Sequence, residues 1–357
     1  MTKLHLLAPC LHWPNPTGQK ALHLQRLPAL ERLLGAGRLE NLMHVRDPAD
    51  LVLALFHASP ASRAHFRRLG EDRPEPAAPQ PAPASSSAHT AILCADPVHL
   101  HFAREHVLLA DATDLDITHD EAEALVSALN DTFNDLEPGF GRFEACHPTR
   151  WYMHLTQPPQ ARFSVLDAVV GRPVALFMPE GEEARRWRQL MNEAQVVLHN
   201  HPINQAREAR GRQAVNSLWL WGEGDASIAP RAPAARVLSH DPLVRGLARA
   251  SGAQADCPDA DRADHALAAD TLLVLDDLYK PSLYLDLDRW LAGLLALERD
   301  WFAPCLQALR QGRFDQLVLH APGEGGSLQL TVKRRDLLKF WRRPRALSTL
   351  QDTQGAT

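Results

Sequence analysis

Short apolar strands alternate with helical segments through the second half of the chain, and this alternation constrains the fold more than any other feature. Strand patterns at 236–239, 271–275 and 316–320 are separated by helical patterns at 242–251 and 287–310. A helix between two strands favours parallel pairing, because it carries the chain back across the sheet. The sequence therefore predicts an α/β fold with a mostly parallel sheet.

Other segments refine this expectation. Residues 182–200 repeat large apolar side chains at helical spacing and predict a helix. A short strand at 217–221 follows, and we assign it to the same core. The long helix at 287–310 should bend near Pro304, which cannot donate a backbone hydrogen bond. After a strand at 327–332, a basic helix is expected to close the chain.

A chain of 357 residues is long enough for two domains. Residues 74–91 hold five prolines and three serines with almost no large apolar side chain, which predicts a linker. The next segment reads as a compact α+β unit with a hairpin around 98–110 and a capping box at Thr118 and Glu121.

Composition excludes several classes of protein. The formal net charge of −5 gives no general attraction to nucleic acid, and the five cysteines are scattered without a Cys-x-x-Cys pair. No window approaches the ~20 apolar residues of a membrane helix. The N-terminal apolar run is too short for a signal peptide. We therefore expect a cytoplasmic protein without a nucleic-acid or membrane partner.

A polar cluster lies between the helix at 182–200 and the strand at 217–221. Asn204 and Arg207 have side chains that can grip a phosphate or carboxylate with several hydrogen bonds. Asn216 and the turn from Gly222 to Gly224 lie at opposite ends of the strand, and such a turn permits close approach of a ligand. The alternatives are a solvated helix end and a plain strand-ending turn.

Three residues are placed as metal ligands would be. Asp276 and Asp277 follow one predicted strand and His320 ends another, and the carboxyl ends of parallel strands commonly carry ligands. The alternative is that the acids cap the next helix. The pair His99 and His101 would face the same way on a strand, but no third ligand is evident nearby.

The segment 333–345 holds seven basic residues and one acid, interleaved with large apolar side chains. This pattern is open to two interpretations: a nucleic-acid or membrane-surface patch, or an amphipathic helix that covers the sheet.

The run from His201 to Gly224, HPINQAREARGRQAVNSLWLWGEG, resembles a signature of the archaeal-type cofactor-independent phosphoglycerate mutases. The segments ADPVHLHF at 95–102 and Arg150-Trp-Tyr are similar to a bacterial relative, the group of RpfE-type regulatory proteins. The resemblance covers residues 92–224 well and the C-terminal third loosely. It implies an alkaline-phosphatase-like core that is interrupted by an inserted domain. The organisation expected on this basis is a first core part at 1–73, the linker at 74–91, an inserted α+β domain at 92–180 and a second core part at 181–357.

That family is expected to carry two divalent metals and a serine nucleophile, because a phosphoryl dianion must be neutralised and the serine activated. The sequence departs from this pattern. Its first strand ends at Cys10 where the resemblance implies an aspartate, no Gly-Ser-Asp occurs, and Leu319 precedes His320 where an aspartate is expected. Asp276, Asp277 and His320 are the candidate ligands that remain.

We therefore predict a non-catalytic relative, without a cofactor, that binds a phosphorylated or carboxylated small molecule or a protein partner in a regulatory role. The residues predicted to contact the ligand are Asn204, Arg207, Asn216, Arg150 and His201. Two alternatives stay open. One is an active phosphomutase or phosphatase that uses Mn, Zn or Mg at Asp276, Asp277 and His320. The other is a regulatory module that contacts nucleic acid through 333–345.

Overall fold

The computed structural model divides the chain into two compact units. One unit combines Met1–Ala58 with Ala229–Thr357, and the other is Ser59–Ile228. We call them the core unit and the inserted unit. The structure describes residues 2–13, 21–22, 24–42, 47–72, 91–103, 105–137, 139–224, 229–260, 266–267, 270–323 and 326–350. Apart from Ala91, the predicted linker at 74–91 lies outside the described residues.

The strands are β1 (Lys3–Leu7), β2 (Arg38–Leu42), β3 (Ala91–Ala103), β4 (His106–Ala110), β5 (Gly141–His147), β6 (Arg150–Leu155), β7 (Ser217–Trp221), β8 (Arg236–Leu238), β9 (Gln254–Asp256), β10 (Thr271–Val274), β11 (Gln316–Gly323) and β12 (Gly326–Lys333). The helices are α1 (Pro28–Ala36), α2 (Pro48–Leu55), α3 (Arg63–Leu69), α4 (His119–Leu136), α5 (Leu166–Val169), α6 (Ala184–Asn200), α7 (Pro202–Ala209), α8 (Pro242–Ala250), α9 (Tyr279–Leu283), α10 (Leu287–Leu297) and α11 (Ala303–Gln311).

The core unit is built on a mostly parallel sheet, as the alternation of strands and helices predicts. Its strand order is β2-β12-β11-β1-β10-β8-β9. The strands from β11 to β9 pair in parallel, and β12 pairs antiparallel with both β11 and β2. The fold is therefore mixed α/β, with the carboxyl ends of the parallel strands at one edge of the sheet.

Helices cover one face of this sheet with apolar side chains. Leu4 and Leu6 of β1 lie in the same buried cluster as Leu30 and Leu33 of α1 and Trp290 of α10. Each fully buried leucine contributes on the order of 2 kcal/mol through removal of apolar surface from water. This packing fixes the strands and thereby the positions of the residues that follow them.

Both edges of the core sheet carry features that discourage further pairing. At one edge, Arg38 and Glu40 of β2 form an exposed ion pair of 3.0 Å. At the other edge, β9 is three residues long, and Pro258 follows two residues later. Charge, shortness and proline each make an edge strand a poor template for another strand.

The inserted unit is an antiparallel sheet with helices. Its central strand, β3, pairs with β4, β6 and β7, and β5 pairs with β6. Assignment of 217–221 to the parallel sheet is therefore wrong, because β7 lies antiparallel to β3. The helix α6 packs against β7 in this unit, so the inserted unit is wider than the expected 92–180.

Three local features were predicted: a capping box, a bend near Pro304 and a basic helix at the end of the chain. The capping box is confirmed: Thr118 Oγ1 accepts from the Glu121 amide at 3.2 Å, and the Glu121 carboxylate accepts from the Thr118 amide at 2.9 Å. Where a bend near Pro304 was predicted, a π turn at Glu298–Phe302 separates α10 from α11. The prediction of a closing basic helix is wrong. The segment after β12 forms two short 3-10 turns, at Arg334–Leu338 and Leu347–Leu350, with non-helical backbone between them.

Candidate functional site

The predicted polar cluster lies inside the inserted unit, where Asn204 joins α7 to the start of β7. Asn204 is 1 % exposed. Its amide nitrogen donates to the carbonyls of Leu198 at 2.7 Å and Val215 at 2.8 Å, and its oxygen accepts from the Val215 amide at 2.8 Å. Three backbone groups therefore use the hydrogen-bonding capacity that a ligand would need.

Arg207 is equally enclosed and ties three segments together. It donates to the carbonyl of Gln213 at 2.9 Å, to the Glu121 carboxylate at 2.7 Å and to the carbonyl of Leu115. The Glu121 carboxylate also belongs to the capping box of α4. Arg207 thus links α7 to the beginning of α4, which gives it a structural role in the absence of any ligand.

Asn216 and the glycine turn complete the same junction. The amide group of Asn216 bonds the backbone of Leu100 in both directions, at 2.7 and 2.9 Å, as a strand partner would. Gly222 has a φ of +79°, and a Cβ there would lie 3.2 Å from the amide nitrogen of Ala64. The carbonyl of Gly222 accepts a hydrogen bond from the amide of Ala64. The glycine turn therefore contacts the beginning of α3.

His201 and Arg150 keep part of their surface in solvent. The His201 ring accepts from the amide of Ile203 at 3.2 Å and caps α7. Arg150 forms a two-bonded ion pair with Glu71, at 2.7 and 2.8 Å, and its side chain is 25 % exposed. Tyr152 also donates to Glu71 at 2.7 Å. Of the five predicted ligand-binding residues, Arg150 is the one that combines a permanent charge with accessible surface.

A layer of ion pairs beside Arg150 was not predicted from the sequence. Arg67 pairs with Asp96 at 3.0 Å, and Trp221 donates to the same carboxylate at 2.9 Å. Arg68 and His154 both bond Glu144. The only sequence signal is a set of isolated charges within otherwise apolar strands.

The charges in this layer act on each other strongly. Burial of Glu144 opposes its ionisation, but hydrogen bonds from His154 and Arg68 outweigh burial and lower its pKa to about 2. Burial instead raises the pKa of Asp96 despite the attraction of Arg67. Such perturbations occur at active sites and in structural networks alike.

The predicted metal ligands of the core unit do not form one group. Asp276 and Asp277 line a pocket of about 220 Å³, together with His240, Asp300 and Trp301. Burial, reinforced by Asp241, raises the pKa of Asp276 to about 6. The pocket thus holds a carboxyl group that can exchange a proton near neutral pH.

His320 has a different neighbour. Its ring stacks on that of His5, with 3.3 Å between His5 Nδ1 and His320 Nε2. Burial, followed by the effect of His5, lowers the pKa of His320 to about 4. His320 is therefore a neutral, buried member of a histidine pair, and neither carboxylate is among the groups that shift its pKa.

Sequence reasoning also missed His12, which follows the first strand. It is 7 % exposed, and burial lowers its pKa to about 4. Both ring nitrogens are buried without a hydrogen-bond partner among the described residues. A single histidine after a strand is too common a pattern to have been singled out.

The described residues do not fit a two-metal centre. Among them, no three His, Cys, Asp or Glu side chains come together in a group that could hold a metal ion. His99 and His101 do face the same way, with ring centroids 5.9 Å apart, but His99 bonds the carbonyl of Ala214. Two-metal phosphoryl transfer needs a much richer donor set. No helix in the described part of the chain is long and apolar enough to cross a membrane.

Comparison with known proteins places one family-model match inside the inserted unit. Residues 98–204 match the family model for 2,3-bisphosphoglycerate-independent phosphoglycerate mutase. A probable enzyme of that name from Geobacter sulfurreducens is 37 % identical over 92 residues, which are 24 % of this chain and 22 % of the relative. The corresponding Methanosarcina mazei protein is 27 % identical over 151 residues, 40 % of this chain and 36 % of that protein.

The matched regions thus span between about a fifth and a third of these relatives. A likeness in fold extends further. The structure of the PH0037 protein from Pyrococcus horikoshii superimposes with a TM-score of 0.55 and 16 % identity, covering 100 % of this chain and 98 % of that one. The likeness in fold is therefore not confined to the residues that match the family model.

Proposed function

We propose that this chain, which is phosphoglycerate-mutase-like over residues 98–204, is a non-catalytic relative of the mutases with a regulatory role. The observation that carries the proposal is the donor set: no group of three potential metal ligands forms within the described residues. The sequence also lacks a Gly-Ser-Asp motif for a serine nucleophile. Within the described residues, a phosphoryl group would therefore find no grouped metal ligands to neutralise its charge, and the sequence offers no serine in the Gly-Ser-Asp motif to attack it.

The ligand that we propose is a phosphorylated or carboxylated small molecule, or an acidic group on a protein partner. Arg150 supports this choice, because its guanidinium is partly exposed and already holds one carboxylate, that of Glu71. A planar guanidinium forms paired hydrogen bonds with carboxylate or phosphate oxygens. Asn204, Arg207 and Asn216 would act indirectly, by holding the inserted unit in shape.

Calorimetry with 3-phosphoglycerate, and with uncharged glycerol as the control ligand, tests the proposal. We expect binding by the wild-type protein and its loss in Arg150→Met. Arg142→Met, an exposed arginine on the neighbouring strand β5, is the matched control and should bind normally. Glu71→Gln removes the internal carboxylate but leaves Arg150 in place, and it should bind at least as tightly as the wild type.

The absence of catalysis and the binding of an anion are two separate claims, and turnover measurements test the first of them. Mutase activity in the presence of Mn²⁺ or Zn²⁺, together with stoichiometric metal in the purified protein, would contradict the absence of catalysis. Equal affinity of the wild type and Arg150→Met would contradict the assignment of the ligand to Arg150.

A second candidate function is favoured by the pocket at Asp276. A carboxyl group with a pKa of about 6 beside His240 suits general acid–base chemistry near neutral pH. This candidate is a phosphatase or phosphomutase with a rearranged site, with a divalent metal if one is recruited. Hydrolysis of p-nitrophenyl phosphate that disappears in Asp276→Asn would support it. Activity that survives this substitution and is lost in His320→Ala would move the site to the histidine pair.

A further inference from the structure

Three large apolar side chains stand out from the core unit just after β12. The exposed fractions are 78 % for Leu338, 87 % for Phe340 and 66 % for Trp341. The two aromatic rings contact each other edge to face, with centroids 5.2 Å apart. We call the segment 338–341 the apolar turn. Single exposed apolar residues are common on protein surfaces, but three within one turn point to a contact surface.

Hydrogen bonds anchor the apolar turn at both ends. One guanidinium, that of Arg32, donates to the carbonyl of Leu337 at 2.9 Å and to that of Arg342 at 2.7 Å. Arg342 in turn donates to the carbonyl of Ala36 at 2.5 Å. The backbone packs closely here, because a Cβ on Gly35 would overlap the carbonyl oxygen of Arg343. The apolar side chains are therefore presented by a fixed loop, which lowers the entropic cost of binding.

Positive charge surrounds the apolar turn. The segment 333–345 carries seven basic residues and one acid in a chain whose net charge is −5. That acid, Asp336, is already bonded by the Lys339 ammonium at 2.6 Å and by the Lys333 amide at 3.0 Å. Next to Leu338 lies a groove of about 870 Å³ lined by Arg310, Lys333, Arg334 and Arg335, with Asp315 as its acid.

We propose that the apolar turn and the cations around it bind the surface of an anionic lipid bilayer. Apolar side chains at the tip of a loop can enter the boundary between headgroups and acyl chains, and flanking lysines and arginines then contact the phosphates. Tryptophan is enriched at that depth of the membrane. This attachment would be peripheral and needs no spanning helix. It is an alternative to the sequence-based expectation that the protein has no membrane partner.

The same cations would attract single-stranded nucleic acid, but the apolar turn fits that partner less well. Nucleic-acid platforms stack bases on open aromatic faces. Leu338 offers no such face, and Phe340 and Trp341 already contact each other. All three side chains gain from burial in a bilayer interface.

Tryptophan fluorescence tests the proposal because Trp341 is the one strongly exposed tryptophan of the eight, all of which are described. The full-length protein is mixed with vesicles of phosphatidylglycerol and phosphatidylcholine at low ionic strength. We expect co-sedimentation with anionic vesicles and little with pure phosphatidylcholine. Brominated acyl chains should quench part of the emission. Trp341→Phe should still bind but lose that quenching.

Two variants probe the two halves of the surface. Phe340→Ala with Trp341→Ala, and separately Arg335→Glu with Arg343→Glu, should each weaken vesicle binding at least tenfold. Phe102→Ala is the matched control, because Phe102 is an exposed aromatic residue, 83 % accessible, in the inserted unit. Its binding should equal that of the wild type. Since the altered side chains are exposed, the melting temperatures should stay unchanged.

Several outcomes would overturn the proposal. These are the absence of binding to anionic vesicles, equal binding to neutral vesicles, and binding that survives loss of both aromatic residues. If analytical ultracentrifugation shows a dimer for the wild type and a monomer for Phe340→Ala, the surface would instead be an interface with a second copy of the chain. Binding of a single-stranded oligonucleotide, with no vesicle binding, would assign it to nucleic acid.

Discussion

At the scale of single residues, the side chains most readily interpreted as ligand contacts hold the backbone instead. Asn204 and Arg207 are both 1 % exposed, and their partners are carbonyls, an amide and one helix-capping carboxylate. Amide and guanidinium groups suit an anion and a set of backbone groups equally well. Sequence identifies such residues as constrained, but it does not distinguish the two kinds of partner.

Replacement of Asn204 by alanine should destabilise the protein by about 2 to 4 kcal/mol, because three buried backbone groups lose their partner. Gln205→Ala, at the exposed neighbouring position, should change stability by less than about 0.5 kcal/mol. Urea unfolding followed by circular dichroism measures both. A normal urea midpoint in Asn204→Ala, combined with weaker anion binding, would show that Asn204 serves a ligand after all.

The histidine pair makes stability depend on pH. An unperturbed histidine has a pKa of 6.5, whereas burial and His5 lower that of His320 to about 4. Between these values the unfolded chain binds the proton and the folded chain does not, so stability falls as the pH falls. The loss should reach about 3 kcal/mol by the lower end of this window.

On unfolding in this pH range, His320→Gln should take up one proton fewer than the wild type. Its unfolding free energy should therefore change less steeply between pH 6.5 and 4. The exposed His106→Gln is the control and should keep the wild-type slope. Identical slopes in all three proteins would mean that His320 titrates normally. His12 should contribute a similar dependence of its own, since burial also lowers its pKa to about 4.

At the scale of elements, hydrophobic periodicity predicted most helices and strands to within a few residues. It did not predict which elements pair or pack with one another. Beside the pairing of β7 with β3, the side-chain amide of Asn216 forms two hydrogen bonds with the backbone of Leu100, as a strand backbone would. No periodicity records such a bond. The missing final helix has a similar cause, because Arg32 takes the carbonyls of Leu337 and Arg342 that a helix would use.

The beginning of α1 illustrates a cap that comes from far along the chain. Leu27 at the N-cap provides no side-chain hydrogen bond. Glu298, in the π turn, accepts instead from the amides of Ala29 at 2.6 Å and Leu30 at 3.1 Å. A carboxylate at this end also suits the positive end of the helix dipole.

Glu298→Ala should therefore cost about 1 to 3 kcal/mol, because two amide donors are left without an acceptor. Glu298→Gln keeps one acceptor and should cost less. Glu31→Gln, in the first turn of α1, is the control for loss of charge alone. The melting temperatures should rank in the order Glu31→Gln, Glu298→Gln, Glu298→Ala, from highest to lowest. An unchanged melting temperature in Glu298→Ala would refute the distant cap.

At the scale of the whole molecule, the core sheet is assembled from two segments that lie far apart in sequence. Met1–Ala58 and Ala229–Thr357 share one unit, and β1 pairs with both β10 and β11. The family resemblance implied an insertion, but its limits could not be predicted, because the sequences of α3, α6 and β7 are typical of an α/β core.

The core unit should fold without the inserted one. The amide of Arg231 donates to the carbonyl of Phe56 at 2.7 Å, so the chain ends left by removal of 59–228 are already close together. A short Gly/Ser link would close them at little entropic cost. Far-ultraviolet circular dichroism and a dispersed amide NMR spectrum should report a folded protein. A spectrum typical of an unfolded chain would show that the core depends on the insertion.

The two edge strands of the core sheet affect how readily the protein aggregates at high concentration. One edge presents the Arg38–Glu40 ion pair, and the other ends in a three-residue strand close to Pro258. Within the part of the chain that the structure describes, neither edge offers a long row of free backbone groups to a second chain, so fibre-like growth from the core sheet is disfavoured. A concentrated sample should therefore stay free of thioflavin-binding aggregates while the core sheet is intact, and they should form only under conditions that unfold it.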